Sequence, residues 1–106
     1  MVMTYQLILS PSETTKKMLL RRMGFREEEG KELLRNGSSP WGAVLLVQGG
    51  VAEIFAAVDL GTKAAPVTAR EVWGNCPQHI NTVAFIGAVA DIRTCLQALQ
   101  SGGLVK

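Results

Sequence analysis

One histidine, two cysteines and one tyrosine among 106 residues leave little for chemistry that needs titratable side chains. His79 has no Asp or Glu close to it in sequence, no H-E-x-x-H is present, and Gly49-Gly50 carries neither G-x-G-x-x-G nor G-x-x-x-x-G-K-S/T. Hydrolysis or group transfer needs a base beside a nucleophile, or several carboxylates and histidines around a metal. An enzyme working within one subunit is therefore not expected. A disulfide framework is missing too: Cys76 and Cys95 are the two cysteines, fewer than small secreted domains use, so a reducing compartment is expected. Charge of one sign is scarce: 11 Lys and Arg face 9 Asp and Glu, a net charge of +2. That balance provides no field to hold a phosphate backbone, and no nucleic-acid partner is expected. No apolar run approaches the roughly 20 residues of a membrane span, and Met1-Val2-Met3-Thr4-Tyr5-Gln6 has no basic leader before an apolar stretch. The expected location is the cytoplasm, without a membrane partner.

What is present is apolar residue, 47% of the chain, enough buried surface to offset chain entropy in one domain of the usual size. The eleven glycines sit singly or in pairs at turn positions and act as punctuation. Tyr5 to Leu9 is strand-like. Ser10-Pro11-Ser12-Glu13 then has the S-x-x-E form of a capping box with proline at the first helical position. The helix it opens runs through Lys16, Lys17, Met18, Leu19, Leu20, Arg21 and Arg22 to about Gly24, a residue suited to a left-handed stop. From Arg26 to Pro40 the composition turns charged and turn-forming. This is a connector with a solvated acidic run at Glu27 to Glu29, and its middle has room for a short helix ending near Leu33 and Leu34.

Ala43 to Val47 is a continuous apolar strand candidate, followed by Gly49-Gly50 and by Val51, Ile54, Phe55 and Val58 at i, i+3, i+4 and i+7, the spacing of an amphipathic helix. Strands at about Thr68 to Trp73 and Asn81 to Ile86 flank the turn Gly74-Asn75-Cys76-Pro77-Gln78-His79. A last helix from Ala90-Asp91 carries Ile92, Cys95, Leu96 and Leu99 on one face and ends near Gly102. The strand, helix, connector, strand, helix, strand, strand, helix order predicts an α+β fold in which helices cover one face of a four-stranded antiparallel sheet. A strand-turn-helix unit recurs at Leu7 to Leu20, Val44 to Val58 and Val83 to Leu96.

Cys95 lies on the apolar face of its helix and reads as core, the commonest place for a free cysteine. Cys76 sits in a turn where Gly74 permits unusual angles and Pro77 restricts the chain. It is either an ordinary turn residue or a presented thiol. One cysteine makes no metal site, but a cyclic homo-oligomer that brings copies of the turn to its axis creates a multi-thiolate site. Trp41 and Trp73, next to predicted strands, are expected to pack against the sheet or a neighbouring subunit.

The run Ala43-Val44-Leu45-Leu46-Val47-Gln48-Gly49-Gly50-Val51-Ala52-Glu53-Ile54-Phe55-Ala56-Ala57-Val58-Asp59-Leu60-Gly61-Thr62-Lys63-Ala64-Ala65 resembles the opening strand and helix of a bacterial microcompartment shell domain. Thr68 to Trp73, Thr82 to Gly87 and Ala88 to Ile92 resemble that domain's next two strands and the start of its second helix. The usual domain closes with a strand and helix at its C-terminus, whereas here a strand and helix stand at the front, so the resemblance implies a circularly permuted form. It implies one domain over residues 1–106 with ferredoxin-like layers: transposed strand and helix at 5–24, connector at 25–41, main body at 42–103.

Among permuted shell proteins, Gly74-Asn75-Cys76-Pro77-Gln78 resembles the group associated with glycyl-radical-enzyme microcompartments, which carries a cysteine-containing loop near the hexamer pore. The resemblance implies a homohexameric tile in the microcompartment shell, packed with other shell proteins around encapsulated enzymes. It also implies an iron–sulfur cluster of the 4Fe-4S type, shared between subunits and ligated by Cys76, with Gly74, Asn75, Pro77, Gln78 and His79 forming the pore loop. Six thiolates cannot ligate four irons equivalently, so lowered local symmetry, partial occupancy or a non-cysteine ligand follows. Lys63 matches the lysine at the hexamer edge; its alternative role is a solvated cation favoured by the helix dipole. Two other functions fit the same sequence: a tile whose pore passes a metabolite without metal, and a ferredoxin-like domain that binds a small ligand between subunits of a dimer or trimer.

Overall fold

The computed structural model describes residues 3–24, 41–74 and 80–106. Its elements, in chain order, are β1 (Thr4–Leu9), α1 (Glu13–Arg22), β2 (Ala43–Gly50), α2 (Val51–Ala64), β3 (Thr68–Val72), β4 (Ile80–Gly87) and α3 (Val89–Ser101). The four strands form one antiparallel sheet in the order β1-β2-β4-β3. The architecture is the expected single-domain α+β fold. The connector, its suggested short helix included, lies outside the described residues apart from Trp41.

The sheet is covered on both faces, not one. Along β2, Ala43, Leu45 and Val47 join the core beneath α2 and α3, with Val83 and Phe85 of β4 and Ile54, Ala57, Ile92, Cys95 and Leu99 of the helices. The intervening Val44, Ala84 and Ile86 meet Leu19, Leu20 and Met23 of α1 together with Trp41 on the opposite face. The reason is visible in the central strands, which carry apolar residues at successive positions and so need cover on both sides. Trp41, 2% exposed, fulfils the packing role expected of it.

Local signals act slightly off the expected positions. α1 is capped by Ser12, whose Oγ accepts from the Thr15 N–H at 3.2 Å, so Pro11 precedes the cap and Ser10 takes a positive φ of 46° outside the helix. The capping-box reading of Ser10 and Glu13 is thereby corrected: the side-chain oxygen nearest the orphan N–H groups belongs to Ser12. Gly24 adopts the left-handed conformation that stops α1. Gly49-Gly50 is no turn; β2 runs through it and α2 begins at Val51. At the end of α3 the left-handed residue is Gly103 instead of Gly102. The Gly103 N–H donates to Gln100 O and the Leu104 N–H to Leu99 O, both at 3.0 Å, which is a Schellman closure.

The largest correction concerns α2. Its buried residues are Ile54, Ala57 and Gly61, while Val51 and Phe55, expected on the core face, are exposed. Gly61 decides the rotation. A Cβ there would stand 2.8 Å from both Cys95 Sγ and Phe85 Cε1, so only the hydrogen of glycine lets α2 approach α3 and the sheet this closely.

Candidate functional site

Val72 of β3 pairs with Thr82 of β4, and Asn81 and Ile80 pair with Gly49 and Gly50 of β2. The connection from β3 to β4 therefore springs from the end of the sheet where β2 turns into α2. Asn75, Cys76, Pro77, Gln78 and His79 lie outside the described residues; Trp73, Gly74, Ile80 and Asn81 form the described root. Gly74 is exposed and is not among the glycines with positive φ, which are Gly24 and Gly103, so the unusual angle expected of it is not used.

The root is held by α1. The Trp73 N–H donates to the Arg22 carbonyl oxygen at 2.8 Å, and Arg22 Nη1 donates back to the Trp73 carbonyl oxygen at 3.2 Å. These bonds fix the backbone of Trp73 one residue past β3. Its indole is 70% exposed, so of the two expected partners, the sheet and a neighbouring subunit, it does not use the sheet.

Beside the root lies a groove of about 510 Å³. One wall is α2, through Ile54, Phe55 and Val58; the other carries Met23 and Gly24 at the end of α1; β3 lies between, with Trp73 at the rim. Sequence reasoning missed this groove because it placed Phe55 in the core. A signal was available: α2 has two overlapping apolar stripes, and the one through Ala57 and Gly61 is made of small residues suited to close helix packing.

Two comparisons with known proteins find nothing: no family model and no curated protein matches the chain. Solved structures do match. The ligand-free structure of the GrpU microcompartment shell protein from Pectobacterium wasabiae is 27% identical, with a TM-score of 0.64, over 92% of this chain and 99% of that one. The ligand-free GrpU shell protein from Clostridiales bacterium 1_7_47FAA is 22% identical, with a TM-score of 0.63, over 92% of this chain and 87% of that one. The chain has the microcompartment shell-protein fold.

Within that shell fold, Lys63 lies in the last turn of α2, where a cation complements the helix dipole. Its Nζ donates to Asp59 Oδ2 at 2.9 Å, one turn earlier, in an exposed pair. Cys95 is fully buried in the core of the shell fold, as expected, and burial pushes its thiol up to about 11. It is a packing residue, neutral at neutral pH, and supplies no thiolate. Among the described residues no group of three or more His, Cys, Asp or Glu is placed to hold a metal. No described helix is long and apolar enough to cross a membrane.

Proposed function

We propose that the chain is a structural, non-enzymatic tile of a bacterial microcompartment shell, a circularly permuted form of the shell domain that assembles as a homohexamer alongside other shell proteins in the cytoplasm. The observation that carries this reading is the similarity to the Pectobacterium GrpU shell protein over nearly the whole of both chains. The approach of Met3 to Val105 as a parallel bridge supports the permuted form, since joined ends are what permutation requires. In this reading Lys63 stands at the hexamer edge, and residues 74–79 line the pore.

Cys76 is the residue that would hold an iron–sulfur cluster. The donor chemistry suits this only in an assembly. With Cys95 committed to the core, each chain offers one thiol, and a cluster needs several. The cluster would supply one-electron chemistry across the shell, while the chain's own part is to present the thiolates and shield them.

Native mass spectrometry of protein purified without oxygen tests both levels. A hexamer carrying iron–sulfide mass that disappears in Cys76→Ser supports the redox tile. A hexamer that takes up no cluster even on reconstitution leaves a metabolite-passing tile. A dimer or trimer without metal returns the chain to the ligand-binding regulatory class and overturns the shell reading.

A further inference from the structure

We propose that the short segment after α3, Leu104 to Lys106, is a latch on the end of the sheet from which the candidate pore loop springs, and that Met3 is the residue through which it acts. The latch needs only the fold; its meaning for the pore rests on the shell-tile reading.

The register of the strands puts the parts in one line. Gly49 pairs with Asn81 across β2 and β4. One step beyond the pair Thr4–Gln48, Met3 stands beside Gly49, and one step beyond the pair Val72–Thr82, Trp73 stands beside Asn81. Val105 closes the line on the far side of Met3 as a parallel bridge. Val105, Met3, Gly49, Asn81 and Trp73 therefore make a transverse row at the end of the sheet where β2 gives way to α2.

The row is pinned differently at its two ends. At Trp73 the pin is Arg22, through both backbone groups of the tryptophan. At Met3 it is the segment after α3: the Met3 N–H donates to Leu104 O at 3.0 Å, and Met3 and Val105 are both buried in the core beneath α2 and α3. Between the pins lies a glycine, which by itself weakens a strand because it has no side chain to pack. A Cβ on Gly49 would collide with Met3 Cγ and stand 2.9 Å from its Sδ. The thioether of the neighbouring strand thus fills the space over Gly49, a role suited to a flexible, unbranched side chain.

The segment is tied to α3 as well, because the Leu104 N–H donates to Leu99 O and Gln100 Nε2 to Lys106 O, both at 3.0 Å. It can therefore lift from β1 while it stays on α3. A short segment whose one buried side chain is Val105 opens at lower free energy than the core strands. When it lifts, Met3 loses its cover and the row loosens from the β1 end, whereas the middle rows keep helices on both faces. With residues 74–79 lining a pore, a closed latch holds the β4 end of that loop firmly and an open one holds it loosely.

Amide exchange of the full chain tests the latch, with Val105→Asp, Val105→Ala and Met3→Ala set against wild type. Val105→Asp puts a carboxylate into a buried site and lifts the segment; Val105→Ala is the milder form, which decides if the first does not fold. Met3→Ala empties the space over Gly49 and keeps the Met3 N–H. Each variant is expected to quicken exchange at Gly49 and Asn81 by about tenfold or more, while Leu45 and Phe85, paired in the middle of the same two strands, stay at wild-type rates. In Met3→Ala the Leu104 amide, bonded back to α3, stays at its wild-type rate too. Leu9→Ala, at the other end of β1 and exposed, is the control and should change none of these rates. Wild-type exchange at Gly49 and Asn81 in Val105→Ala and Met3→Ala overturns the latch and leaves the shell tile standing. Quickening that is equal at Phe85 and Asn81 makes the segment an ordinary part of the core and also overturns it. A dimer or trimer in native mass spectrometry overturns the tile, and with it the pore consequence, without touching the exchange result.

Discussion

Arg22 grips Trp73 through both of its backbone polar groups: the carbonyl of Arg22 accepts from the Trp73 N–H, and the guanidinium of Arg22 donates to the Trp73 carbonyl. The residues are 51 positions apart, so the contact ties the front helix of the chain to the root of its candidate pore loop. β3 ends at Val72, so it is this contact that supports the next residue, from which the connection carrying Cys76 starts.

Replacing Arg22 by Ala removes the guanidinium bond and leaves the backbone one. Because the site is exposed, the expected loss of stability is small, about 0.5–1 kcal/mol, read as a lower urea midpoint. Amide exchange at Trp73 should quicken more than exchange in β4, marking a local opening.

Gly61→Ala tests the contact that orients α2. The new methyl meets Cys95 Sγ and Phe85 in a packed core, an overpacking cost of roughly 1–3 kcal/mol, offset by about 1 kcal/mol of helix propensity. A net loss of about 1 kcal/mol is expected. Adding Cys95→Ala removes one of the clashing atoms, so the double variant should be more stable than the sum of the single effects by about 1 kcal/mol; strict additivity in urea titrations would show that the two sites are not coupled.

Cys95 makes stability fall in alkali. Burial lifts its thiol from 9.0 to about 11. Between those values the unfolded chain has released the proton and the folded chain keeps it, so unfolding is favoured as pH rises. The contribution is whole below about pH 9 and gone above about pH 11, a change of roughly 2–3 kcal/mol at 1.36 kcal/mol per unit. Urea midpoints across that range in a Cys76→Ser background should fall more steeply with Cys95 present than in Cys95→Ala.

Lys63→Ala separates a fold role from an edge role. The Asp59 pair is exposed, one helical turn in span, and its loss should move stability by no more than about 0.5 kcal/mol. If Lys63 works at the tile's edge, electron microscopy will show extended arrays lost while the hexamer mass survives. Arrays unchanged from wild type would confine Lys63 to the helix terminus.

Much of the fold was legible along the chain because its signals are local. Apolar runs of strand length, the i, i+3, i+4 spacing of Ile92, Cys95 and Leu99, and glycines after helices placed six of the seven elements within a few residues, and the burial of Cys95 and Trp41 followed from position alone. The candidate site was less legible. Cys76 and its neighbours stood out by residue type, and Trp73 read as packed on the sheet or on a neighbouring subunit, but Phe55 read as core, because periodicity shows that a helix has an apolar face without saying which of two overlapping faces is turned inward.

The sequence by itself determined the order and type of the elements and the place of Cys95 in the core, with the second cysteine, Cys76, between β3 and β4. Tertiary structure decided the rest. It put α1 on the far side of the sheet, since both faces of β2 and β4 are apolar and two helices cover only one. It rotated α2 about Gly61, since close packing against Cys95 and Phe85 outweighs burying a larger ring. It also left Phe55 and Trp73 exposed along one groove, a meeting of residues 18 positions apart that depends on the sheet bringing β3 under α2.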